Sequence, residues 1–151
     1  MKVRGFEKIS QYQDVDLTMP VRKTETSAGY DLCLAEDVDL EPGASVLAAT
    51  GLKAYMRPDE YLSIHIRSSM GIKKHLRLLN SVGIVDADYY NNPDNEGHIL
   101  IALENTGKEA VHLAKGERVA QGIFSQYLVT DDDSESAKEK RSGGFGSTGR
   151  Q

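Results

Sequence analysis

The apolar residues of this chain come in short runs that almost never follow helical spacing, and that pattern decides which folds are open to it. Leu62, Ile64 and Ile66 alternate with Tyr61, Ser63 and His65, the period that turns one face of a strand inward. The run Ile-Leu-Ile-Ala-Leu at 99–103 reads as a strand buried on both faces. Val111, Leu113 and residues 119–128 continue the series. Turn signals separate these runs: Glu41-Pro42-Gly43, Arg57-Pro58-Asp59, Asn105-Thr106-Gly107 and Ala114-Lys115-Gly116. Many short strands so punctuated predict a closed or double-sheet antiparallel fold, with one brief helix around 68–77.

At 151 residues, 39% hydrophobic and 27% charged, the chain suits one globular domain with a real core. Its net charge of -5 argues against general nucleic-acid binding, so an anionic ligand would need local positive charge or a metal. Cys33 is the one cysteine, which excludes an internal disulfide and a thiolate zinc cluster; between Leu32 and Leu34 it reads as a small buried hydrophobe. His65, His75, His98 and His112 show no metal-ligand spacing. The N-terminal residues hold no apolar signal segment and no stretch approaches a membrane span, so a cytoplasmic location without membrane contact is expected.

From 130 to 140 the pattern stops. Thr-Asp-Asp-Asp-Ser-Glu-Ser-Ala-Lys-Glu-Lys lacks large apolar residues and reads as a solvated tether. The expected division is a β-barrel domain over 1–129, a flexible polar tether over 130–140 and a glycine-rich arm over 141–151. In that arm Arg141 is a fork for phosphate oxygens, Gly146 and its fellow glycines free backbone N–H groups, Ser147 and Thr148 add donors, and Phe145 offers a stacking face.

Four further constellations carry chemistry. The run 80–89, Asn-Ser-Val-Gly-Ile-Val-Asp-Ala-Asp-Tyr, suits a hairpin in which Asn80, Gly83, Asp86 and Tyr89 lie close, with Asp86 a partly buried general base at a strand edge. Arg67, Ser68 and Ser69 follow an alternating strand and form either a phosphate cradle or a serine-capped helix start. Asp31 is a lone acid at the start of a strand. Gln121 is an amide inside an apolar strand, where it needs partners.

In this order, 28–32, 67–71, 80–89, 116–121 and 141–149 resemble the five motifs of the trimeric deoxyuridine triphosphatase (dUTPase) family. The resemblance implies an all-β jelly-roll barrel assembled as a homotrimer, with active sites shared between subunits and closed by the arm. It implies hydrolysis of dUTP to dUMP and pyrophosphate, which supports dTMP synthesis and keeps uracil out of DNA. Mg2+ would be held mainly by the triphosphate, with Asp31 holding waters of the ion and no direct protein ligand. Asp86 would activate the attacking water and Arg67 and Ser68 would support it, with Ser69 donating through its backbone. Asn80 and Gly83 would frame uracil, Tyr89 would exclude a ribose 2'-hydroxyl, and Gln121 would bind the α-phosphate. Phe145 would stack on uracil while Arg141, Gly146, Ser147 and Thr148 close on the γ-phosphate.

Two departures stand out. Many members carry the arm arginine five residues before the phenylalanine, where this chain has Lys140; Arg141 is favoured because a fork binds phosphate better than a point charge. After Tyr89 the chain inserts residues 90–96 before Gly97, and Tyr90 competes with Tyr89 for the sugar-facing role. Two rival readings remain. One is a deoxycytidine triphosphate deaminase, which needs a catalytic glutamate in the strand after the third motif, whereas 99–103 holds no carboxylate. The other is a regulatory binding protein of phage type with a dUTP-dependent protein partner.

Overall fold

The computed structural model describes residues 1–135 and 137–142, and within them the alternating runs become strands. In chain order these are β1 (Gly5–Lys8), β2 (Tyr30–Cys33), β3 (Val38–Leu40), β4 (Ser45–Ala49), β5 (Leu52–Tyr55) and β6 (Glu60–Ile66). The single α-helix among the described residues, α1 (Ser68–Lys74), precedes β7 (Leu76–Leu78), β8 (Gly83–Asp86), β9 (Leu100–Asn105), β10 (Val111–Leu113) and β11 (Arg118–Gln126). All pairings are antiparallel. The largest sheet runs β2-β11-β6-β8, a second runs β4-β9-β7, and β1-β5 and β3-β10 form two-stranded ribbons. Together they wrap one core in a jelly-roll arrangement.

Leu32, Leu62, Leu103, Leu113 and Val119 are fully buried in that core, contributed by strands from several sheets. Burying each such side chain is worth about 1.5–3 kcal/mol, so the core and not local propensity fixes the strand set. Cys33 lies in it, and burial pushes its thiol up from the ordinary value. No helix among the described residues is long and apolar enough to cross a membrane.

Three expectations change. The helix stops at Lys74 because His75 adopts a left-handed conformation (φ 58°), and Leu76 and Leu78 then bury on one face of an extended strand. In β9, Ile101 and Leu103 are buried, whereas Leu100 and Ala102 are only half-buried on the opposite face. The segment 80–89 is no hairpin: β7 pairs with β9 and β8 with β6, so the chain changes sheet at residues 79–82. A turn with Ser81 at φ 63° makes that crossing.

One buried polar side chain ties two loops together. Asn105 is wholly buried; its Nδ2 donates to Leu40 O (3.0 Å) and Glu109 O (2.9 Å), and its Oδ1 accepts from Gly107 N (2.9 Å). Asn105→Ala leaves three backbone groups without that partner. A loss of about 3 kcal/mol is expected in urea unfolding, and an unchanged midpoint would remove the bridging role.

Candidate active site

The first cluster lies where β2, β6 and β11 end together. Lys23, Ser27, Gly29, Asp31, Arg67, Ser68, Ser69, Arg118 and Gln121 line an open cleft of about 350 Å³. Arg22 orders its rim by donating to the carbonyls of Thr24, Glu25 and Ser27, which holds Lys23 and Ser27 over the opening. The Arg67 backbone N–H donates to Val119 O (3.0 Å), which pins the end of β6 to β11. Three cations here face one carboxylate, a local reversal of the chain's net charge of -5.

Asp31 is not a solitary acid: Arg118 Nη1 donates to its Oδ2 at 3.2 Å, and its side chain is mostly buried. Gln121 sits opposite Asp31 on β2 and His65 on β6. Its amide is half-buried and lines the cleft instead of the core, because β11 turns Ala120 and Gly122 inward on either side of it. Gly29 permits this placement, since a Cβ there would stand 2.2 Å from Gln121 Oε1. Ser69 Oγ is buried and has no hydrogen-bond partner. Ser68 opens α1, but the helix start at Arg67 has no side-chain cap, so the serine-cap alternative does not hold.

The second cluster is built on β8 and the 3-10 turn Ala87–Tyr89 after it. β8 alternates: Gly83 and Val85 point inward, Ile84 and Asp86 outward. Asp86 is therefore more exposed than the sequence suggests, with 54% of its side chain open, because β8 is the last strand of its sheet. Asn80 precedes β8 at the exposed turn, its amide near Gly83. Tyr89 is buried; its hydroxyl donates to His98 O (2.6 Å) and accepts from Asn95 Nδ2 (2.9 Å). Burial raises the phenol's pKa, with the Asn95 bond opposing the shift. Arg141 lies across this cluster, Nη2 to Asp86 Oδ2 and Nε to Asp88 Oδ1, both 2.6 Å, with its guanidinium 5.9 Å from the Tyr89 ring centre.

Tyr90 points away from the Asp86 cluster. Its hydroxyl donates to Glu7 Oε1 (2.6 Å) and its ring packs beside Tyr55 and Lys53, away from Asp86. Asp133–Glu135 forms a short 3-10 turn with Thr130 Oγ1 donating to Asp132, so part of the polar tether has local order without apolar burial. Phe145, Gly146, Ser147 and Thr148 lie outside the described residues.

The two clusters do not meet within one chain. Asp86 stands opposite Tyr61 on β6, and Arg67 follows the far end of that strand, six residues on, a span of about 20 Å at strand rise.

The family model for dUTPase matches residues 16–149. The chain belongs to the dUTPase family. A deoxyuridine 5'-triphosphate nucleotidohydrolase of Lactococcus lactis subsp. lactis (strain IL1403) is 53% identical over 149 residues, covering 99% of each chain. A crystal structure of dUTPase from Streptococcus mutans is similar with a TM-score of 0.80 and 50% identity, over 84% of this chain and 98% of that one. A Staphylococcus bacteriophage 80alpha dUTPase shares the fold at 21% identity, with a TM-score of 0.72 over 87% of this chain and 94% of that one.

The sequence reading missed Arg118, Lys23 and Asn95. Arg118 was visible as a cation three residues before Gln121, but only a paired strand shows that it reaches Asp31. Lys23 carries no local signal. Gly29→Ala probes the cleft: the added methyl displaces the Gln121 amide, and with Gln121 Cβ also 3.0 Å away β11 must adjust locally. Calorimetric binding of pyrophosphate, used as an anionic probe, is expected to weaken about tenfold as Gln121 is pushed aside, with Tm recorded to separate this from loss of fold. Unchanged affinity would take Gln121 out of phosphate binding.

Proposed function

We propose that the chain hydrolyses dUTP to dUMP and pyrophosphate, as a homotrimer whose active sites are shared between subunits. The whole-length likeness to a named deoxyuridine triphosphate nucleotidohydrolase carries the reaction. The separation of the Asp86 cluster from the Arg67 cluster by about 20 Å supports the sharing, since one chain cannot close both on one substrate. The reading puts the enzyme in the cytoplasm.

In this reading Asp86 takes a proton from a water whose oxygen bonds to the α-phosphorus, while the bond to the α–β bridging oxygen breaks and pyrophosphate leaves. The outward, half-exposed carboxylate at the end of β8 suits a base that must reach water. Arg67 and Ser68 support the water and phosphate chain, the Ser69 backbone donates, and Gln121 binds the α-phosphate. Charge accumulating on the phosphate oxygens is met by the cleft's cations. Asn80 and Gly83 frame uracil and Tyr89 fills the space of a 2'-hydroxyl. In the arm, Phe145 stacks on the base, and Arg141, Gly146, Ser147 and Thr148 close on the γ-phosphate.

Mg2+ fits this donor set. Asp31 offers one carboxylate within the cleft, and this ion usually binds through one or two carboxylates, substrate phosphates and retained waters. Bound there with the triphosphate, it would supply charge neutralisation on the phosphate oxygens. Asp31 would hold its waters while Arg118 fixes the carboxylate's orientation.

The deaminase reading needs a glutamate in β9, and that strand does extend beyond 103 to include Glu104. Its carboxylate is ion-paired with Arg77 (2.5 Å), away from both clusters, and the named relatives favour the hydrolase. The bacteriophage likeness concerns fold alone, so it does not favour the regulatory reading. Pyrophosphate release across dUTP, dTTP, dCTP and UTP tests reaction, base and sugar together; release with dUTP alone is expected, and ammonia from dCTP would overturn the reading.

Asp86→Asn is expected to lose ~10²–10⁴-fold in turnover while still binding dUTP. Near-normal turnover would pass the role to Asp88. A chain ending at Thr130 should fold and assemble yet be a poor enzyme, because it lacks the closing arm. The Arg141 contacts to Asp86 and Asp88 lie within one chain, whereas the shared-site reading brings another subunit's arm there. Trimers mixed from the truncated chain and full-length Asp86→Asn distinguish the two arrangements. Activity that neither parent shows is expected, and inactive mixed trimers, verified by mass, would restrict each arm to its own Asp86.

A further inference from the structure

The segment inserted after Tyr89 is a framework in which nearly every side chain has a structural partner. Asn92, itself buried, donates from Nδ2 to Tyr89 O (2.7 Å) and to Asn95 Oδ1 (2.8 Å), and its Oδ1 accepts from Asp94 N (2.9 Å) and Asn95 N (3.1 Å). Asn95 Oδ1 also accepts from Gly97 N (3.1 Å). The base of the loop is clamped by Lys53, whose Nζ donates to Asn91 Oδ1 (2.6 Å) and Glu96 Oε2 (2.7 Å), while Glu96 also accepts from Ser10 N (3.1 Å). Gly97 closes the loop at φ 93°, where a Cβ would lie 2.8 Å from Tyr89 O.

With its Oδ1 engaged by both Asn92 and Gly97, the Asn95 amide can turn only one way. Its Nδ2 then points at the Tyr89 hydroxyl (2.9 Å), whose own proton goes to His98 O (2.6 Å). A phenol held from one side still swings about that single bond. Held as donor on one side and acceptor on the other, its ring plane is set.

We propose that Asn95 is a positioning residue for substrate selection: the inserted loop exists to deliver its amide to Tyr89, fixing the ring that rejects a ribose 2'-hydroxyl. The inference rests on the reading of Tyr89 as the sugar-facing residue. Asn95 touches no substrate in this scheme and acts through the phenol alone. Its loss should therefore alter the preference between deoxyribose and ribose more than it alters the reaction itself.

The test uses the full chain and the ratio of kcat/KM for dUTP to that for UTP. Asn95→Asp keeps the shape and the acceptor for Gly97 and Asn92 but replaces the donor to Tyr89 by an acceptor, so the phenol's one proton is contested between His98 O and the new carboxylate and the two-sided hold is lost. Its added charge acts on both triphosphates alike and cancels in the ratio. That ratio is expected to fall about fivefold to tenfold, the worth of one hydrogen bond, chiefly through improved use of UTP. Asn95→Ala should do the same, and Tm recorded for each variant separates loss of fold from loss of selection. In a Tyr89→Phe background, which has no hydroxyl to hold, Asn95→Asp should change the ratio no further; an undiminished effect there would overturn the inference. Tyr89→Ala is the control for the parent reading. If it lowers the ratio while both Asn95 variants leave it unchanged, the inference alone falls; if it leaves the ratio unchanged, both fall.

Discussion

Strand β6 is hydrogen-bonded along both edges, to β11 on one side and β8 on the other, and the two registers decide how far Asp86 stands from Arg67 and Gln121. Opposite β11 it sets Gln121 beside His65, within reach of the cleft at its C-terminal end; opposite β8 it sets Asp86 beside Tyr61, near its start. A slip of one residue on the β8 side would turn Asp86 inward and Val85 out, burying a carboxylate and exposing part of the core. Val85, buried opposite Leu62, opposes that slip with about 1.5–3 kcal/mol of apolar burial. The distance between Asp86 and the Arg67 cleft is thus a property of core packing, and the proposal of a site shared between chains rests on it.

The rest of the site divides by rigidity. Asp31, Arg67 and Gln121 stand on or directly after strands of one sheet, and Tyr89 is fixed by a loop that satisfies its own polar groups. The tether is held by exposed polar bonds such as Lys138 Nζ to Asp133 O (2.7 Å). Groups that must discriminate a sugar or hold a phosphate in register gain from a prepaid framework, because ordering costs then fall on folding and not on binding. In the proposed reading the groups that admit and release the nucleotide stand beyond the tether, outside the barrel framework.

The sequence made the fold class legible because period-two alternation and Pro/Gly turns are local signals, as at Leu62, Ile64 and Gly43. It made the five motifs legible because their order and residue types survive without any knowledge of pairing. It could not reveal that β7 and β8 belong to different sheets, since the apparent hairpin at 80–89 differs from a sheet crossing only in distant partners. The same limit hid the exposure of Asp86, which depends on β8 being an outer strand, and the Arg118–Asp31 pair, whose members are 87 residues apart. Asn95 was hidden for a different reason: an asparagine in a polar insertion reads as turn chemistry until the phenol it faces is seen.

The hydroxyl of Ser69 is buried against the cleft with nothing to bond. Such an atom costs the folded protein about 1–3 kcal/mol, because water has been withdrawn and no partner returned. In the proposed reading, a rotation that brought this hydroxyl to a bound phosphate would give it the partner it lacks, and ligand binding would then offset part of a cost already incurred on folding.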